Sequence, residues 1–149
     1  MQPDLSELFT DLVRLETALW SRVDARLQED HGLALTWFEP MQLIGRIGRC
    51  RVIDVAEALS ITIGGTSKLV DRIQEAGWCL RQPNPDDGRS SIIELTDEGR
   101  QLLEAATVSF VDELGRRLGG GCSDRSLGQF AATTRTLLDH LRSTTPGSG

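Results

Sequence analysis

A mainly α-helical chain carrying one small β-hairpin is the fold this sequence predicts, on three observations. Long stretches towards both ends repeat apolar residues at three- and four-residue steps, the period of an amphipathic helix. Two short runs flank the turn Asn84-Pro85-Asp86-Asp87-Gly88-Arg89, and the second of them alternates with period two, as a hairpin does. Just before that hairpin, Thr62 to Ala76 reads as a polar-faced helix interrupted by two adjacent glycines, Gly64 and Gly65. Helix, hairpin with an arginine at its tip, then a capped helix is the order of a winged helix-turn-helix.

Each element follows from local chemistry. Leu5, Leu8, Phe9, Leu12, Leu15, Leu19, Trp20, Val23 and Leu27 form the apolar stripe of one long helix, about residues 4–30, ended by Gly32. A lone helix cannot bury such a stripe on itself. Thr36 and Glu39 have capping-box spacing and start a second helix running to about Gly48, with Pro40 tolerated in its first turn. Residues 51–59 form a short helix with Val52, Val55, Ala56 and Leu59 inward. Thr62 caps the next, which Gly77 stops, and Ile63, Leu69, Val70 and Ile73 are spaced to face the core.

The hairpin strands are read at 78–82 and 90–95. Thr96 caps a following helix whose first turn holds Asp97 and Glu98, favourable for the helix dipole. Its stripe is Leu102, Leu103, Ala106, Phe110, Val111, Leu114 and Leu118. Gly119-Gly120-Gly121 breaks it, Ser123 caps a last helix, and residues 144–149 read as a polar tail.

Composition sets outer bounds. A chain of 149 residues suits a single domain with a real core, and 39% hydrophobic with 26% charged residues is ordinary for a globular protein. No apolar run approaches the roughly 20 residues that span a bilayer. Met1-Gln2-Pro3-Asp4 lacks the basic and apolar regions of a signal peptide, so a cytoplasmic protein is expected, with no membrane partner. Cys50, Cys79 and Cys122 are odd in number and widely spaced, which argues against a disulfide framework.

The net charge of −6 is unevenly placed. Residues 1–41 carry net −5, residues 42–91 net +1, and residues 92–149 net −2. The segment holding the glycine-broken helix and the hairpin is therefore the one that permits contact with a polyanion. A helix entering a major groove needs small or polar residues on its N-terminal face. Thr62, Gly64, Gly65, Thr66, Ser67 and Lys68 supply them, followed by Arg72. At the hairpin tip Arg89 can reach a narrow minor groove or a phosphate, and Asp87 is placed to hold its guanidinium by a charge-assisted bond. These nine residues are the expected contacts to double-stranded DNA.

The run Val55-Ala56-Glu57-Ala58-Leu59, then Thr62 through Asp71-Arg72, then Glu75-Ala76-Gly77-Trp78, resembles the MarR family of winged-helix transcription regulators. The wing motif Asp87-Gly88-Arg89 followed by Leu95-Thr96-Asp97-Glu98-Gly99 carries the resemblance further. It implies a homodimer with a winged-helix DNA-binding lobe at about 36–99, and interlocking dimerisation helices at about 1–31 and 100–143. It also implies repression of a palindromic operator, relieved by a small aromatic or phenolic ligand. Trp20, Trp37, Phe38 and Met41 are apolar residues that can line such a ligand pocket or belong to the core. Two positions depart from the family pattern: Ile63 stands where a polar or basic residue is frequent, and Arg51 where a Ser or Thr cap is frequent.

Catalysis finds little to work with. His31 and His140 are the only histidines, and neither is near a plausible nucleophile constellation. His31 with Glu29, Asp30 and Glu39 matches no strong metal-ligand spacing, so no metal and no cofactor are expected. Two rival readings stay open on sequence alone: a redox- or metal-sensing regulator acting through Cys50, Cys79 or Cys122, and a DNA-independent protein–protein adaptor on the same scaffold.

Overall fold

The computed structural model describes residues 1–144, so the expected polar tail lies, apart from Thr144, outside the described residues. Six helices and three strands follow in the order α1 (Leu5–His31), α2 (Leu35–Ile47), β1 (Cys50–Arg51), α3 (Val52–Leu59), α4 (Ile63–Glu75), β2 (Cys79–Pro83), β3 (Ser91–Leu95), α5 (Asp97–Gly119) and α6 (Asp124–Thr144). Residues 1–111 form one compact unit, and the described residues from 112 onward another.

Helix α1 starts where Asp4 accepts hydrogen bonds from the backbone N–H of Ser6 and Glu7, and stops at Gly32, whose φ of 62° only glycine adopts without cost. The expected cap on α2 is not the one used. The helix begins at Leu35 with Ala34 before it, and Thr36 lies inside its first turn. Asp24 of α1 instead accepts from the Leu35 N–H at 2.8 Å, so a tertiary contact supplies what a local cap would have. Glu39 is thereby left half-buried, and burial pushes its carboxyl above the usual carboxylate range, helped by repulsion from Glu16.

The sheet has order β1-β3-β2, all antiparallel, with Cys79 opposite Leu95, Arg81 opposite Ile93, and Cys50 on the far side of Ile93. The sequence showed only the hairpin β2–β3. Strand β1 adds two residues to its edge. Its partner lies some 40 residues later, and two residues carry no readable period. Arg51 pairs with Ile92 in that strand, and the Asp54 carboxylate accepts from its backbone N–H at 2.8 Å, which starts α3 without a Ser or Thr cap.

The core of the first unit lies where α1, α2, α4, α5 and the sheet meet. Leu27, Leu33, Phe38, Met41, Ile73 and Ile93 are fully buried there. Phe38 packs against Phe110 with ring centroids 4.8 Å apart, and Trp37 meets Trp78 edge-to-face at 5.6 Å. At the mouth of α5 the backbone is locked. Thr96 donates its hydroxyl to the Gly77 carbonyl at 2.7 Å and accepts from the Gly99 N–H at 3.0 Å. Gly99 lies so close to the Trp78 carbonyl that a Cβ there would collide with it. The Leu-Thr-x-x-Gly signature is thus a junction tying the end of the hairpin to the start of β2.

Beyond this core, α1 leaves Leu5, Leu8, Phe9, Leu12, Val13 and Leu15 exposed. In the second unit α6 buries none of its residues and exposes Phe130, Leu137, Leu138 and Leu141. Val111, expected on the buried stripe of α5, is 61% exposed. Among the described residues no helix is long and apolar enough to cross a membrane.

Candidate nucleic-acid interface

Helix α4 begins after Thr62, whose backbone is extended and whose Oγ1 accepts from the Gly65 N–H at 3.0 Å. That cap explains Gly65, because a Cβ there would press on the Thr62 hydroxyl oxygen. Gly64 is different: a Cβ at 64 would meet nothing within 4 Å. Nothing inside the chain requires that glycine, although it weakens the helix by about 1 kcal/mol relative to alanine.

Val70 and Ile73 are fully buried and Leu69 partly so, as the periodicity predicts. Two assignments reverse. Thr66, expected on the outward face, is fully buried, and its hydroxyl donates to the Thr62 carbonyl at 2.7 Å. Ile63, expected in the core, is 57% exposed. The helical period is right, but the first turn projects beyond the body that would have covered Ile63, while Thr66 lies one turn deeper on the packed side. The exposed residues of α4 are therefore Ile63, Gly64, Gly65, Lys68, Asp71, Arg72, Gln74 and Glu75.

Arg81 is the residue that sequence reading missed. From β2 its guanidinium donates to the Ser67 carbonyl at 2.9 Å and to the Ser67 hydroxyl at 3.1 Å, and pairs with Asp71 at 2.8 Å. The signal was available: strand alternation puts Arg81 on the same face as Cys79, turned towards the packed side. Two consequences follow. Ser67 is tied down and half-buried rather than free. Asp71, an exposed anion, is paired with Arg81, which leaves Lys68 and Arg72 as the exposed cations of the helix, with Glu75 at its end. The Arg81 Nε is buried without a partner. That costs about 1–3 kcal/mol, comparable to what its charged hydrogen bonds return, so the clamp acts on position more than on stability.

The hairpin tip is held by its own side chains. Asn84 accepts from the Asp86 N–H at 3.0 Å and donates to the Ser90 hydroxyl at 3.0 Å. Asp87 accepts from the Arg89 backbone N–H at 3.0 Å. Its role differs from the one expected: it braces the turn through the backbone, not through the guanidinium. Arg89 is exposed at the tip, and Arg49 pairs with Asp86 at 3.1 Å beside it. A cleft of about 390 Å³ separates the start of α4 from the wing, lined by Ile53, Ile63, Ser67, Arg81 and Arg89 among others.

The four residues considered for a ligand pocket divide. Phe38 and Met41 are sealed in the core, Trp37 is half-buried against Trp78, and Trp20 is 36% exposed on α1. The buried cysteines make poor sensors, since burial pushes the thiols of Cys50 and Cys79 up to about 11 and leaves little thiolate. His31 is engaged with the Ser109 hydroxyl at 2.9 Å, which in turn donates to Asp30 at 3.0 Å. Among the described residues no group of three His, Cys, Asp or Glu side chains is arranged to hold a metal.

A capped helix with Lys68 and Arg72 exposed, clamped to a locked hairpin, defines a winged helix-turn-helix lobe. Residues 33–91, which run from just before α2 through α4 and β2 to the first residue of β3, match the model of the MarR family. The chain is 26% identical over 105 residues to the multiple antibiotic resistance protein MarR of Salmonella typhimurium, covering 66% of this chain and 73% of that protein. Its fold matches Sco3205, a MarR family transcriptional regulator from Streptomyces coelicolor crystallised in complex with DNA. The TM-score is 0.86 at 21% identity, over 100% of this chain and 95% of that one. The MepR–DNA complex of S. aureus matches at TM-score 0.76 and 22% identity, over 93% and 99% of the two chains. Residues 33–91 are thus similar to the MarR family, and Sco3205, which the whole chain resembles in fold, is a MarR family transcriptional regulator.

Proposed function

We propose that this protein is a dimeric, sequence-specific DNA-binding transcription regulator, with α4 entering the major groove and Arg89 reaching the adjacent minor groove. The observation that carries the reading is the arrangement of α4 and the wing. Lys68 and Arg72 stand exposed, with Asp71 paired to Arg81 and Gly64 open, next to a turn whose tip presents Arg89. Cations so placed straddle one sugar-phosphate strand, with the helix on one side of it and the hairpin on the other. The similar proteins crystallised with DNA support the same reading.

Dimerisation is supported by the apolar faces of α1 and α6, which a second copy of the chain would cover. Two lobes related by a two-fold axis would read a palindromic operator. Repression is the simplest outcome of occupying such a site, because the bound protein excludes other proteins from it. Relief by a small aromatic or phenolic ligand rests on the family resemblance. Of the residues considered for its site, Trp20 and Trp37 retain exposed surface.

Selection of bound sequences from a random duplex pool tests the reading. A two-fold symmetric consensus is the expected product, whereas failure to enrich any sequence would contradict it and favour a protein–protein adaptor.

A further inference from the structure

The hydroxyls around the first turn of α4 are each engaged within the chain. Thr62 Oγ1 accepts from the Gly65 N–H, Thr66 is buried on the Thr62 carbonyl, and Ser67 Oγ accepts from Arg81. What projects there is a hydrocarbon. Ile63 is 57% exposed, and it is the only exposed apolar side chain of α4. Beside it, Gly64 leaves open space. Ile53 lines the same cleft and is itself 38% exposed, beside Asp87, Arg89 and Arg51, which pairs with Asp54 at 3.0 Å.

In the major groove the one apolar feature that distinguishes base pairs is the C5 methyl of thymine. The first residues of a recognition helix are those that approach base edges. We infer that Ile63 reads a thymine methyl, so that each half-site carries a required A·T pair recognised by hydrocarbon contact. The inference rests on the DNA-binding reading above and adds a specificity-determining residue to it. The contact is complementary in charge as well: Lys68 and Arg89 take the phosphates, and the neutral Ile63 takes the base.

The test removes a single methyl group. Each thymine of the selected operator is replaced in turn by deoxyuridine, and affinity is measured by fluorescence anisotropy for the parent, Ile63→Ala and Ile63→Thr. For the parent, one position per half-site should lose about fourfold per methyl, the worth of one buried hydrocarbon group. For Ile63→Ala the same replacement should be silent, with Ile63→Thr between the two. Circular dichroism should show all three proteins equally folded, because the side chain is exposed. A parent that binds the operator but is indifferent to every deoxyuridine overturns the inference and leaves the regulator standing. An equal loss in Ile63→Ala overturns it too. Absence of any sequence-specific binding by the parent overturns both.

Discussion

Asp87 is an anion at the tip of a hairpin proposed to touch DNA, and its geometry explains why an anion stands there. Its carboxylate accepts from the Arg89 N–H and so fixes the backbone from which the arginine projects. An asparagine side chain can accept the same bond through its carbonyl oxygen. Asp87→Asn should therefore keep or tighten operator binding, since it retains the turn and removes a negative charge. Asp87→Ala should weaken binding several-fold, because the freed turn must be ordered on association. Affinities at fixed salt check both. If Asn and Ala behave alike, the charge, not the backbone bond, is what matters at this position. Arg89→Ala should weaken binding in every background, as it removes the exposed cation itself.

Elements were legible in proportion to how local their causes are. Thr62, Thr96 and Ser123 each cap a helix within three residues, and a sequence displays that directly. Thr36 looked equally good and is not used, because Asp24 reaches the same helix end from eleven residues away. Strand β1 was invisible for the same reason, having only β3 to define it. On α4 the periodicity located the buried face through Val70 and Ile73, yet it misjudged Ile63 and Thr66, where the turn leaves the body of the lobe. Of the nine expected DNA contacts, Thr66 turns inward and Ser67 is tied to Arg81, while Lys68, Arg72 and Arg89 are exposed. The glycines divide in an equally instructive way. Gly65 serves the cap, but Gly64 serves nothing within the chain. Gly64→Ala should accordingly stabilise the protein by about 0.5–1 kcal/mol while lowering operator affinity. A thermal melt paired with a binding curve checks the opposed signs. Unchanged affinity would mean that no base edge approaches that position.

Over the whole molecule, the exposed stripes are the feature most in need of a partner. Leu5, Leu8, Phe9 and Leu12 on α1, and Phe130, Leu137, Leu138 and Leu141 on α6, are all exposed. The structure leaves them bare on each unit. A second copy that covers them makes folding and assembly inseparable. Phe9→Asp or Leu138→Asp should then lower the dimer population at micromolar concentration and reduce operator affinity steeply, although neither residue lies on the wing or on α4. Analytical sedimentation beside operator titration checks this. A parent protein that sediments as a stable folded monomer would contradict the dimer.

The central claim is that α4 and the wing together bind a particular duplex sequence. The direct measurement is equilibrium affinity for the selected operator and for a scrambled duplex, between about 50 and 200 mM salt. The account predicts that the operator binds at least about a thousandfold more tightly than the scrambled duplex. It also predicts that both affinities fall with salt along a shallow slope, because few exposed cations stand on the DNA-facing side of each lobe. Equal affinity for the two duplexes at every salt concentration, or binding to neither, would contradict it.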